Sequence, residues 1–213
     1  MDSYFVQPHA VKKCIVLCVS GLLCYINPNV MPDRSNTHRN VVKKPGVRKL
    51  FTMLFERFHV GLWSKMPMRD LKLLLNFILP EGVLDRLSFV FGREYCERPE
   101  HYPWSYKVLD TLYYKRHSRD VCKPDQVLLV DVSPLSLRRT PDSACYMPWP
   151  FQGDFTASSR TIPNVATDII PFIYPLHQFE SVSDYMKHSH RPGQIHYEVA
   201  HALKYKIPYY SLC

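Results

Sequence analysis

Glycine is scarce in this chain, at 7 of 213 residues against 18 prolines, so its loops follow fixed paths. No stretch approaches the ~20 apolar residues of a membrane-crossing helix, which excludes an ordinary transmembrane segment. Internal repeats and low-complexity segments are lacking. The seven cysteines (14, 18, 24, 96, 122, 145 and 213) are odd in number and have no paired Cys-x-x-Cys spacing. That argues against a disulfide framework and for buried, reduced thiols in a reducing compartment. Targeting signals are incomplete. Lys12, Lys13 and the apolar stretch from Cys14 to Ile26 resemble the start of a signal peptide, but Asn27-Pro28-Asn29 follows in place of a small-x-small cleavage site. Asp2 and the lack of any arginine before Arg34 speak against an organelle transit peptide. The expectation is an intracellular protein of nucleus, cytoplasm or organelle, not a secreted one.

What is present suits a globular domain. The chain is 46% hydrophobic and 13% aromatic, long enough to bury a core without staples. One domain over residues 1–213 is expected. A formal charge of +8 favours anionic partners: nucleic acid, an acidic membrane surface or a phosphorylated protein. The same charge is also compatible with a merely soluble basic surface.

Strand and helix patterns alternate along the chain. Apolar runs predict strands near 13–18, 58–63, 87–91, 127–131 and 144–147. Residues 127–130 form a continuous apolar run, as in a strand covered on both faces. Pro45 opens a helix in which Val47, Leu50, Phe51, Leu54 and Phe58 recur at helical spacing. A second helix starts at Pro67, with Met68, Leu71, Leu74, Leu75 and Ile78 on one face, and ends at Pro80-Glu81-Gly82. A helical patch covers 107–114, Ser181 caps a helix running to His188, and 194–206 reads as a terminal helix within a C-terminal helical segment over about 181–206. Residues 27–44 read as a flap loop and 149–167 as irregular chain. This order predicts an α/β fold, a Rossmann-like three-layer sandwich with a mostly parallel central sheet.

In such sheets function gathers at the carboxyl ends of the strands. Four places matter: Cys18-Val19-Ser20-Gly21, Trp63-Ser64, Lys107, and Asp131-Val132-Ser133-Pro134. Their order and spacing, with Lys44-Pro45-Gly46-Val47-Arg48 as a helix opener, resemble the FCP-homology branch of the haloacid dehalogenase superfamily. The resemblance runs from about Val11 to about Ala202. It implies a haloacid dehalogenase-like fold and, in active members, an Asp-x-Asp first motif. There one aspartate attacks the phosphoryl group and the other serves as acid and base. Magnesium, a hard cation, is held by these carboxylates and an acidic residue of the fourth motif. This chain carries Cys18 and Ser20 at the two aspartate positions, and no Asp-x-Asp occurs anywhere in it. Asp131 keeps the fourth-motif position, beside Val132 in place of an acidic or amide neighbour. The resemblance therefore implies no catalytic residue and no cofactor, with magnesium at Asp131 only if activity survives. It also implies phosphate-binding positions at Ser64, Lys107 and Gly21.

Other constellations carry less. Cys18 lacks the downstream arginine that keeps a cysteine phosphatase's thiol ionised, since no cation follows before Arg34. His188, His190, His196 and His201 do not share metal-ligand spacing and read as solvated side chains. Tyr113 to Arg119 mixes aromatic and basic residues, fit for nucleic acid or for the end of an amphipathic helix. The expected function is a catalytically inactive phosphatase-like scaffolding or protein-binding module, with or without residual binding of phosphate or a phosphopeptide. Two alternatives stand beside it: a weak or atypical magnesium-dependent phosphoprotein phosphatase, and a structural subunit of a ribonucleoprotein or organellar complex.

Overall fold

The structure is a computed structural model and describes residues 11–27, 40–98, 100, 105–153 and 164–189. Five strands build its centre: β1 (Cys14–Leu17), β4 (His59–Trp63), β5 (Phe89–Phe91), β6 (Val127–Val130) and β7 (Cys145–Tyr146). They form one sheet in the order β5-β4-β1-β6-β7, with every pairing parallel. All five fall where the apolar runs predict them.

A strand's two-residue period explains the layers. On β1, Ile15 and Leu17 face one core cluster while Cys14 and Val16 face the other. On β6, Leu128 and Val130 join the first cluster, and Val127 and Leu129 the second. All eight of these side chains are essentially inaccessible to solvent, so a continuous apolar run was needed where a one-sided strand would alternate. The first face is covered by α1 (Val47–Arg57), α2 (Met68–Ile78), α5 (Val165–Ile173) and α6 (Val182–His188). The second is covered by α4 (Leu109–Tyr114), through Leu109 and Leu112, and by Cys122 and Leu137. The result is the three-layer, Rossmann-like α/β fold with a parallel central sheet that the sequence predicts.

Two regions depart from the predicted reading. The stretch 27–44, expected to be a flap loop, contains β3 (Val41–Lys43), which pairs antiparallel with β2 (Cys24–Ile26); residues 28–39 lie outside the described residues. Strands of three residues show no usable periodicity, so the hairpin is silent in the sequence. The stretch 149–167, expected to be irregular, runs into α5 at Val165. Pro171 lies inside that helix, and a proline there removes an amide donor and masks the helical pattern. The short helix α3 (Val83–Arg86) was also not foreseen. The expected helix over 194–206 lies outside the described residues.

α1 and α5 are joined by a close approach at Gly46. Gly46 is the N-cap of α1, with φ of 87°. A Cβ there would stand 1.8 Å from Asn164 Oδ1, the atom that caps α5 by accepting the Ala166 N–H at 3.0 Å. Lys44, buried just before the helix, pairs with Asp168 of α5 at 2.6 Å. Ser181 caps α6 as expected, its Oγ accepting the Asp184 N–H at 3.0 Å.

Candidate functional site

The registers of the sheet bring the predicted residues together. Leu17 pairs with Leu62 on one side and Val130 on the other, so β1, β4 and β6 end side by side. Cys18 follows the first, Ser64 the second and Asp131 the third. A cavity of about 280 Å³ opens there, lined by Cys18, Val19, Ser20, Ser64, Lys65, Met66, Arg93, Lys107, Asp131, Val132 and Ser133. Its place, outside the carboxyl ends of parallel strands, is where ligands bind in open α/β sheets.

Gly21 shapes the turn beneath it. Its φ is +79°, and a Cβ would meet Val132 Cγ2 at 2.7 Å. Its carbonyl accepts the Phe151 N–H at 2.7 Å and its own N–H donates to Cys24 O at 2.7 Å. Gly21 is thus needed for close approach between the first and fourth motifs, but it does not line the cavity.

The centre of the site is an ion pair. Lys107 Nζ lies 2.5 Å from Asp131 Oδ2, and both residues are buried, 1% and 2% exposed. Asp131 Oδ1 accepts the Ser133 N–H at 2.9 Å. The Lys107 carbonyl in turn accepts from Thr140 Oγ1 at 3.1 Å, and its N–H donates to Ser136 O at 2.9 Å. Both carboxylate oxygens therefore have partners within the protein.

This bears directly on magnesium. The ion demands several hard oxygen ligands in near-octahedral geometry. Here one carboxylate is available, and its oxygens are held by an ammonium group and an amide. The neighbouring donor is Cys18, a thiol 4% exposed whose pKa is pushed far above the ordinary range, first by burial and then by the Asp131 charge. A protonated thiol is neither a magnesium ligand nor a nucleophile. The residues present do not fit the metal. Among the described residues, no group of three or more His, Cys, Asp or Glu side chains is placed to hold a metal ion.

Ser64 is buried and its Oγ accepts the Met66 N–H at 3.1 Å, one turn before α2 begins. Lys65 Nζ reaches Ser133 Oγ at 3.4 Å, and Arg93 Nε donates to Lys65 O at 2.9 Å. Lys65 and Arg93 lie outside the predicted motifs, and Ser133 falls in the fourth motif without a predicted role. The signal for Arg93 was its place two residues past the end of β5, one of the two strand ends not counted. Lys65 simply follows Ser64. The lining carries three cations, Lys65, Arg93 and Lys107, against one carboxylate, Asp131.

The remaining candidates lie elsewhere. His188 is on the surface of α6, its Nδ1 2.9 Å from Asp184 O; His190, His196 and His201 lie outside the described residues. Around 113–119, Tyr113 is half-buried, Tyr114 is 79% exposed, and Lys115, Arg116, His117 and Arg119 are exposed. Six cysteines are described, all free, and five of them are buried. No helix among the described residues is long and apolar enough to cross a membrane.

The sequence profile of the NLI interacting factor-like phosphatases matches residues 13–182, most of the chain and every element described above up to the start of α6. The chain belongs to that family. No protein with a curated description matches it in sequence. Among solved structures it is similar to an uncharacterized protein from Listeria monocytogenes serotype 4b, at 14% identity and a TM-score of 0.53. That match covers 78% of this chain and 99% of the other. It is also similar to Fcp1, an essential RNA polymerase II CTD phosphatase, at 14% identity and a TM-score of 0.47, over 70% of this chain. The fission yeast RNA polymerase II CTD phosphatase Fcp1 bound to beryllium fluoride shows 13% identity and a TM-score of 0.46, over 92% of this chain. This NLI interacting factor-like chain spans 44% and 62% of the lengths of those two Fcp1 chains.

Proposed function

We propose that this NLI interacting factor-like protein is a catalytically inactive phosphatase relative that works as a binding module, receiving a phosphate-bearing protein segment in the cleft at the ends of β1, β4 and β6. One observation carries the reading. Asp131 is neutralised by Lys107 at 2.5 Å while the adjoining position is a buried thiol, Cys18. Aspartate-based phosphoryl transfer needs a carboxylate to attack and a second to shuttle the proton. Cys18 and Ser20 supply neither. What the cleft keeps is cationic: besides the neutralised pair its lining holds Arg93 and Lys65, the latter reaching the Ser133 hydroxyl. A phosphate monoester suits that balance, because charge-assisted hydrogen bonds to such groups are the strong ones. The free thiols fit a reducing compartment, and the whole chain is read as one domain around this site.

The test has two arms. In the first, magnesium-dependent hydrolysis of an aryl phosphate is measured for the native chain and for the triple variant Cys18→Asp, Ser20→Asp, Val132→Asp. A silent native chain beside an active variant supports an intact scaffold without chemistry; turnover by the native chain overturns the reading. In the second, binding of a phosphoserine peptide is compared with its unphosphorylated form for native protein, Arg93→Ala and Ser64→Ala. Arg93 is exposed, so its loss leaves the fold intact. Phosphate-dependent binding that weakens in both variants is expected. Equal binding of the two peptides, or affinity indifferent to both variants, sinks the cleft as the binding site.

A further inference from the structure

A second concavity lies away from the cleft, on the outer side of the sheet's β5 margin. Its volume is about 490 Å³, within the roughly 300–1,000 Å³ of established ligand pockets. Met68, Lys72, Leu75 and Asn76 of α2 form one wall, at the i, i+4, i+7, i+8 spacing of a single helix face. Leu84 of α3, Ser88 just before β5, Phe89 and Val90 of β5, Tyr95 and His117 complete it.

The chemistry of the walls is asymmetric. The floor is apolar: Met68, Leu75 and Phe89. Leu84 is 37% exposed, an uncovered large aliphatic side chain at the rim. The charged groups on the lining are of one sign, Lys72 and, when protonated, His117, with no carboxylate among them. His117 belongs to an exposed basic run of the sequence, Lys115, Arg116, His117 and Arg119, of which only His117 lines the groove. One carboxylate borders the groove: Glu94, whose Oε1 is engaged by the N–H of the lining residue Met68 at 3.0 Å.

We infer that this groove is a docking site for an acidic peptide segment of a partner protein, anchored by one large apolar side chain between α2, α3 and β5. The charge complementarity selects the acid, and the aliphatic floor selects a protein over a nucleic acid. Single-stranded nucleic acid is held by stacking on open aromatic faces. Here Phe89 is 5% exposed, and Tyr95 already lies flat on Phe91 with centroids 4.0 Å apart. The arrangement of an apolar pocket within a polar, charged rim is the ordinary anatomy of a small protein interface. The site is independent of the phosphate cleft and shares no lining residue with it.

The test is a display library of random, unphosphorylated peptides panned against the full chain. Recovered peptides are then titrated by fluorescence anisotropy against native protein, Lys72→Glu, Leu84→Asp and Arg93→Ala. The expected consensus joins an aromatic or long aliphatic residue to flanking Asp and Glu. Affinity falls about tenfold or more, roughly 1.4 kcal/mol, in each of Lys72→Glu and Leu84→Asp, and is unchanged in Arg93→Ala. Lys72 is exposed and Leu84 is at the rim, so thermal unfolding of both variants should match the native chain. The inference is overturned by a consensus without acidic residues, by affinity indifferent to both groove variants, or by a library that yields nothing. It is likewise overturned if single-stranded RNA, and no peptide, is the ligand lost on Lys72→Glu.

Discussion

Removing the Lys107 ammonium should damage this protein's stability far more than removing any surface cation. In Lys107→Ala the Asp131 carboxylate loses its ammonium partner and keeps the Ser133 amide and the Cys18 thiol, inside a site where the residue is 2% exposed. Breaking a buried pair from one side costs about 3–5 kcal/mol, because an uncompensated charge remains. For a domain of this size, each kcal/mol moves the midpoint of thermal unfolding by about 2–4 °C, so a drop of about 6–20 °C is expected. The double variant Lys107→Met, Asp131→Leu removes both charges and should recover most of the loss, since a well-packed apolar pair is often as stable as a buried ionic one. Urea unfolding followed by tryptophan fluorescence reads this directly, Trp63 being fully buried at the end of β4. A single-variant cost below about 1 kcal/mol, the range of exposed pairs, would refute the argument that this ion pair is sealed from water. So would a double variant no more stable than the single one.

Stability should also fall in mild alkali. Cys14, Cys18 and Cys24 have pKa values raised in the folded state, Cys18 and Cys24 chiefly by burial, Cys24 to about 12, and Cys14 first through its contact with Cys122. The unfolded thiols ionise near pH 8.5 while the folded ones stay protonated, so stability is full below that pH and declines above it, by up to about 1.4 kcal/mol per pH unit per thiol. Urea midpoints that stay flat between pH 8.5 and 10 contradict this. Gly46→Ala should cost about 2–4 kcal/mol, combining a left-handed backbone with loss of the Asn164 cap on α5. Chemical denaturation of that variant beside Asn164→Ala checks it, the glycine variant being the worse of the two. Ser181→Ala removes the α6 cap and should cost about 1 kcal/mol by the same assay; no measurable change would mean α6 frays in the native protein.

The sheet was legible because its strands are buried on both faces. Residues 127–130 and 14–17 carry no polar interruption, which is what a strand enclosed between two helical layers requires of its side chains. The first two helices were legible through their apolar stripes, from Val47 to Leu54 and from Leu71 to Ile78. The hairpin of β2 and β3 was not, since three-residue strands hold too little pattern, and α5 was hidden by Pro171. At the site, motif order located Cys18, Ser64, Lys107 and Asp131, and the fold places all four around one cavity. Spacing along a chain cannot reveal that Lys107 is already engaged by Asp131. That pairing depends on how the segment before α4 folds across the end of β6. Lys65 and Arg93 escaped for a related reason, because neither residue type stands out in a chain with 27 lysines and arginines.

The sheet tapers from its middle to its margins. β1, β4 and β6 are four, five and four residues long, while the outermost strands β5 and β7 have three and two. Short outer strands offer a stray chain few backbone rungs to copy, a common defence against edge-to-edge aggregation. The same brevity governs recognition beside β5. A visiting peptide finds too little ladder there to be held by its main chain, so whatever this margin distinguishes, it distinguishes by side chain.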